Sequence, residues 1–232
     1  MMNLLKKILL FVAIFVSIQQ AYTQNYIVSE EYDPDTTYGD RASQIAKLVT
    51  VQWGLNTSFL DEDSNTKLWG SNHFSAKLNT EWKIKGSVYN VLQFGWDWNT
   101  FKLKNNNDVL LGDSSFYGKR KLRADYVTVQ YSIVKYKTDD YDVNGNYLQL
   151  GICGGYKVYS AYYIWDELNG VKIKNRASKL PFVNKYKLDL SITYGSDEML
   201  IFARYRLTEL FTRSDTGYTN VGSFTIGIGI HM

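Results

Sequence analysis

Cysteine, proline and histidine are scarce in this 232-residue chain, at one, two and two residues. A single cysteine, Cys153, leaves no internal disulfide to form, so the chain is not a disulfide scaffold. It alternates in phase with Gly151 and Gly155, which reads as a small interior residue rather than a reactive thiol. The two prolines, Pro34 and Pro181, fall outside the strands proposed below, as ladder hydrogen bonding requires. Charge of either sign is barely in excess: the formal net charge of +3 falls to +1 without Lys6 and Lys7. That balance leaves no nucleic-acid footprint. Beyond the N-terminal stretch no run approaches ~18 consecutive apolar residues, which excludes a transmembrane helix.

The opening residues read as a secretory signal over 1–23. Lys6 and Lys7 form its basic region, Ile8 to Ile18 its apolar run, and Ala21-Tyr22-Thr23 its small-residue cleavage site. The apolar run is too short to span a membrane comfortably. No cysteine lies near the cleavage site, so no lipid anchor is expected. Residues 24–46 are polar, with Glu30, Glu31, Asp33 and Asp35 clustered, and read as a periplasmic leader. Residues 47–232 read as one barrel domain.

What is abundant is aromatic side chains set in period two. Aromatics make up 16% of the chain, with 19 tyrosines, enough for interfacial girdles. Between Phe74 and Trp98 the pattern is nearly unbroken. Phe74, Ala76, Leu78, Trp82 and Ile84 alternate with polar residues; after Gly86-Ser87, Leu92, Phe94, Trp96 and Trp98 do the same. Period two means one apolar and one polar face per strand. The polar face carries charge in mid-strand. That predicts a barrel with an apolar outside and a polar inside, as in an outer membrane.

The same alternation recurs along the chain. It predicts strands over about 47–58, 122–136, 147–163, 185–194, 199–207 and 222–232, besides the hairpin. In the fifth strand Leu148, Leu150, Ile152, Tyr156 and Val158 face out. The connections run long, short, long, moderate, long, short, long, with Asn144-Gly145 in the moderate one. Outer-membrane barrels have short periplasmic turns and longer outside loops. The expected fold is therefore all-β: an eight-stranded antiparallel up-and-down transmembrane β-barrel with periplasmic termini.

At this point the second half resembles the PorT-like outer-membrane β-barrel domain of Bacteroidota. The residues that carry the likeness are Leu148-Gln149-Leu150-Gly151-Ile152, Tyr186 to Tyr194 with its Gly-Ser-Asp turn, Tyr205 to Phe211, and the Gly-alternating Phe224 to Ile230. It covers about residues 122–232. The resemblance implies an eight-stranded outer-membrane barrel, one branch of which serves type IX secretion. The chain ends His231-Met232, where such barrels commonly carry an aromatic residue; Met232 has the outward phase of that position.

The inward phase is expected to hold Lys77, Glu81, Asp97, Arg123, Asp125, Asp189, Arg204 and Arg206. Eight strands leave an interior only wide enough for side chains. The favoured reading is a packed network in which each charge has a partner; a narrow gated pore is the alternative. No catalytic constellation, metal or cofactor is expected. Asp140-x-Asp142-x-Asn144-Gly145 copies half an EF-hand loop but has Gly151 where the bidentate Glu belongs, and Asp61-x-Asp63-x-Asn65 lacks even the Gly. Ser71 and His73 can be drawn as part of a rim site for acyl transfer on envelope lipid. Lys119, Arg120 and Lys121 are candidates for lipopolysaccharide phosphates, as partners of outer-membrane lipid. The functional reading is a non-enzymatic scaffold or secretion and envelope accessory, possible partners being other envelope proteins. Its alternatives are the rim enzyme and a soluble secreted barrel of the lipocalin type, whose apolar face is inside.

Overall fold

The computed structural model describes residues 49–57, 66–103, 119–137, 146–168, 171–196, 198–212, 221 and 223–232. The expected signal and leader, the Asp61 segment and the Asn144-Gly145 connection lie outside the described residues. Nine strands follow one another: β1 (Val49–Thr57), β2 (Thr66–Lys85), β3 (Val88–Leu103), β4 (Lys119–Tyr136), β5 (Tyr147–Leu168), β6 (Val171–Ser178), β7 (Tyr186–Gly195), β8 (Met199–Arg206) and β9 (Phe224–His231). No helix occurs among the described residues. Each strand pairs antiparallel with its neighbour in the order β4-β3-β2-β1-β9-β8-β7-β5, and β4 pairs with β5 to close the ring. The barrel is eight-stranded, closed and up-and-down, as the alternation predicts.

The ninth strand is the departure. β6 pairs only with the far half of β5, Ala161 to Leu168, while β7 pairs with the near half, Tyr147 to Tyr156. β4, β5 and β6 thus continue above the level at which β7 leaves β5, with the ends of β2 and β3 beside β4 as far as Lys121. The alternation places residues 171–178 in a long connection, because Val171-Lys172-Ile173-Lys174 is too short and basic to mark a strand.

The opening hairpin forms in the expected register, with Phe74 opposite Trp98, Ala76 opposite Trp96 and Leu78 opposite Phe94. Gly86 turns the chain at φ +54°, a left-handed conformation that glycine adopts without steric cost. This turn and the one after Gly195 mark the lower end of the barrel. The long connections mark the upper end.

Period two sets the faces. In β7, Tyr186, Leu188, Leu190, Ile192 and Tyr194 are exposed, while Lys187, Asp189, Ser191 and Thr193 are buried in the barrel. The same outward face continues through Trp53, Trp82, Val129, Tyr131, Ile133, Leu150, Ile152, Ile201 and Ile228, all exposed. The exterior is therefore an apolar belt and the interior polar. This is the inverse of a lipocalin-type barrel.

A β-bulge interrupts the alternation at one consequential place. Tyr126 of β4 opposes Lys157 of β5, but Asp125 opposes Tyr159, so Val158 is the extra residue. Below the bulge the odd residues of β5, such as Cys153, face inward. Above it the even residues Ser160 and Tyr162 are buried, and Tyr159, Tyr163 and Trp165 turn outward. The expected outward row Leu148 to Val158 therefore ends at Tyr156.

Candidate functional site

The middle of the lumen is a network of ions and amides built from six strands. Period two delivers Gln52 from β1, His73, Ser75 and Lys77 from β2, and Asp97 and Asn99 from β3. The same rule brings in Gln130 from β4, Lys187, Asp189 and Ser191 from β7, and Arg204 from β8, all buried. Gly155 of β5 makes room: a Cβ there would stand 2.7 Å from Lys187 Cγ.

Asp97 is the centre. Its Oδ2 accepts from Lys187 Nζ at 2.5 Å and from Arg204 Nη1 at 3.1 Å. Lys187 also donates to Asp189 Oδ2 at 2.8 Å, and Arg206 approaches Asp189 Oδ1 at 3.6 Å. Two carboxylates thus face three cations, so each buried carboxylate has at least two cationic neighbours. The cations rest on rings as well: Lys187 lies 5.4 Å from the Tyr126 centroid, and Arg206 5.8 Å from that of Phe101.

Amides carry the network outward. Arg204 Nη2 donates to Gln52 Oε1, and Ser75 Oγ donates to the same oxygen at 3.1 Å. Lys77 Nζ donates to Gln130 Oε1, whose amide nitrogen reaches Ser132 at 3.0 Å and Ser191 at 3.1 Å. His73 Nδ1 bonds Asn99 Oδ1 at 2.9 Å, and its Nε2 accepts from Arg204 Nη1 at 3.2 Å. These roles fit a neutral imidazole protonated on Nδ1.

Apolar caps close both ends of this network. Above it, Phe101, Leu103, Leu122, Ala124, Tyr126 and Tyr162 pack with Leu180, Val183, Leu210, Phe211 and Val221 from the upper connections. Val183 bridges Phe211, and Lys157 Nζ donates to the carbonyls of Leu180 and Val183. Below it, Tyr136 and Tyr147 pack with Val91 and Val134, Tyr89 lies edge-on to Tyr136, and Tyr147 donates or accepts at His231 Nε2 at 2.6 Å. A void of about 10 Å³, room for about one water, lies among His73, Asn99, Asp189 and Arg204.

Of the residues expected in the lumen, the structure brings together Lys77, Asp97, Asp189, Arg204 and Arg206. Glu81 stands apart near the lower mouth, accepting from Tyr136 Oη at 2.9 Å. Arg123 and Asp125 are not in the lumen. β4 runs without a bulge of its own, so they share the outward phase of Val127 and Val129. They form a bidentate pair there, at 2.9 Å for Nε to Oδ1 and 2.8 Å for Nη2 to Oδ2. Lys187 was missed, although it alternates with Tyr186 and Leu188 and its phase was legible.

The basic run also divides by phase. Lys119 is exposed and Lys121 half-buried on the outer face, whereas Arg120 is buried on the opposite one. Ser71 and His73 do not address each other: Ser71 Oγ donates to Lys67 O at 2.6 Å, and His73 is committed inside.

Asp97, Cys153 and Asp189 bring their ligand atoms within 4.8 Å of one another, which is metal-like spacing. Lys187 already places its ammonium on both carboxylates, so the cation of this cluster is supplied by the chain. The arrangement fills the middle of the barrel, and among the described residues the space beside it is the void of about 10 Å³. The chain matches no family model and no curated protein.

Proposed function

We propose that this chain is a small outer-membrane β-barrel protein with a plugged polar lumen. It acts without catalysis, as a scaffold or as an accessory of secretion and envelope assembly, through its upper loops and its N-terminal leader. The observation that carries the membrane reading is the outward row of β7. Tyr186 and Tyr194, 65% and 54% exposed, bracket exposed Leu188, Leu190 and Ile192. Nine residues bounded by aromatic rings match one tilted crossing of the hydrocarbon layer. In water such a belt would be a large aggregation-prone patch. The accessory role rests on two supports: a lumen with no passage for a solute, and the resemblance of residues 122–232 to the PorT-like domain.

The test uses Ile152, which pairs with Leu190 at the centre of the belt and is 53% exposed. Facing lipid, Ile152→Arg costs about 2–4 kcal/mol at the bilayer midplane. Facing water, an exposed substitution of this kind stays within about ±0.5 kcal/mol. The measurement is urea unfolding of protein refolded in phospholipid vesicles, followed by the heat-modifiable gel shift, with fractionation of the expressing cells. An Ile152→Arg protein as stable as the parent, recovered from the soluble fraction, overturns the membrane reading.

A further inference from the structure

Above the apolar belt, the extension of β4, β5 and β6 presents an outward face unlike the rest of the barrel. The bulge at Val158 turns Tyr159, Tyr163 and Trp165 onto it. Register places Lys121 opposite Tyr163 from β4, and Arg176 and Lys174 opposite Tyr163 and Trp165 from β6. Cations therefore flank a central row of rings on both sides. Lys121 lies 5.9 Å and Lys174 5.6 Å from the Trp165 centroid; Arg176 lies 5.5 Å from that of Tyr163. Tyr163 and Trp165 stack with centroids 5.7 Å apart and planes 21° from parallel.

Among the described side chains, cations outnumber acids on this face. Asp125 is its described acid, and Arg123 occupies both of its oxygens. Among the described residues no carboxylate stands within ion-pair distance of Lys121, Lys174 or Arg176. Cation–π contacts at exposed sites contribute only about 0.5–1 kcal/mol each and occupy no N–H group; Arg176 Nη2 also donates to Tyr159 Oη, and the rest of its guanidinium can still donate outward. Inside the barrel the cations meet carboxylates or amides, as Lys77 and Lys187 show. Here the fold leaves a cationic surface with aromatic floors.

Height identifies the occupant. Tyr156, opposite Val127, ends the outward apolar row of β5, and Tyr159 opposite Asp125 is the next outward pair above it. From Tyr159 to Trp165 the strand runs about 20 Å, which at a tilt of about 45° is a rise of about 14 Å. On the membrane reading proposed above, on which this inference rests, the face stands in the polar layer immediately outside the hydrocarbon. We propose that it binds the phosphorylated sugar headgroup of the surrounding outer-leaflet glycolipid. Lys121, Lys174 and Arg176 donate to the phosphates, and Trp165 and Tyr163 receive the apolar face of a sugar ring. Lys121 is then the part of the expected lipopolysaccharide contact that joins this face, and Arg120 plays no part in it.

The experiment uses the full folded barrel in detergent and native mass spectrometry with added lipid A. Its arms are dephosphorylated lipid A, phosphatidylglycerol and the soluble polyanion dextran sulfate. Wild-type protein is expected to retain lipid A at least about tenfold better than either other lipid, the loss of charge-assisted hydrogen bonds accounting for that factor. The K121Q/K174Q/R176Q protein should lose most of the preference. Trp165→Ala should bring lipid A and phosphatidylglycerol closer together, because it removes a sugar platform and leaves the charges. These side chains lie outside the ring, and the heat-modifiable shift verifies that each variant is folded. Wild-type protein that folds and fractionates with membranes but retains lipid A no better than phosphatidylglycerol overturns this inference and leaves the membrane reading standing. So does a triple variant that binds as the parent does. Dextran sulfate competing as well as lipid A assigns the face to a soluble polyanion and overturns the lipid assignment. A soluble wild-type protein overturns both readings.

Discussion

Asp97 joins two buried cations on a single oxygen. Lys187 and Arg204 both end on its Oδ2, and Arg204 connects onward to His73 and Gln52. Removing one partner of a buried ionic group costs about 3–5 kcal/mol, because the charges left behind stay desolvated. Asp97→Asn strands two cations at once and is expected at the upper end of that range, read from urea unfolding in vesicles. Asp97→Asn within about 1 kcal/mol of the parent would mean that water reaches this cluster. The same residues show how far phase is readable from sequence. Counting by twos places Lys77, Asp97, Asp189, Arg204 and Arg206 inside, and the structure agrees. The rule applied to β4 from Thr128 puts Tyr126 and Ala124 inside, hence Asp125 and Arg123 outside. Expecting those two in the lumen lets charge outweigh phase, when charge above an apolar belt is as well served by an outer face. Which cation meets which carboxylate lies in three-dimensional register, and no one-dimensional pattern carries it.

At the scale of the element, β5 decides the upper architecture. Its first half is legible: Leu148, Leu150, Ile152 and Tyr156 alternate cleanly against Gln149, Gly151, Cys153 and Gly155. The second half, Lys157-Val158-Tyr159-Ser160-Ala161-Tyr162-Tyr163, is amphipathic in neither phase, so the sequence does not announce the bulge. The structure supplies the reason for it. Lys157 N bonds Lys185 O at 2.7 Å, and Lys157 Nζ reaches the cap carbonyls, so β5 parts from β7 at this point. The extra residue leaves the faces on either side of it in order: Lys157 points inward opposite Tyr126 and Tyr159 outward opposite Asp125. Deleting Val158 therefore restores unbroken alternation, and Tyr159, Tyr163 and Trp165 are expected to keep the outer face. The ring below, paired through Tyr147 to Tyr156, should still close. The expected outcome is a retained gel shift and parent-like protease resistance across 160–178. Rapid cleavage there in the deletion protein would show that the local bend of the bulge, and not phase alone, holds the extension in place.

At the scale of the whole molecule, the lumen has three stacked barriers and each closes it separately. The lower one is aromatic: Tyr89, Tyr136, Tyr147 and His231 lie ring to ring at 5.3 to 5.8 Å. The middle one is the ionic network around Asp97, whose amides and charges touch across the full width of the barrel. The upper one is the apolar cap, tied down by Asn184 N to Leu210 O at 2.8 Å and Thr212 N to Phe182 O at 2.8 Å. An eight-stranded ring has space for side chains and little else. Water in such a barrel must find a path through all three layers, so removing one should not open a pore. The purified protein in planar bilayers is expected to show no large steady conductance, and Phe211→Ala, which thins only the cap, is expected to behave in the same way. Adding Asp97→Ala to Phe211→Ala weakens the second layer as well, and the intact tyrosine layer is still expected to keep the lumen closed. Large stable openings in the unmodified protein would contradict a plugged lumen and make the barrel a conduit; large openings in Phe211→Ala alone would show that the cap is the only seal and that the ionic network conducts.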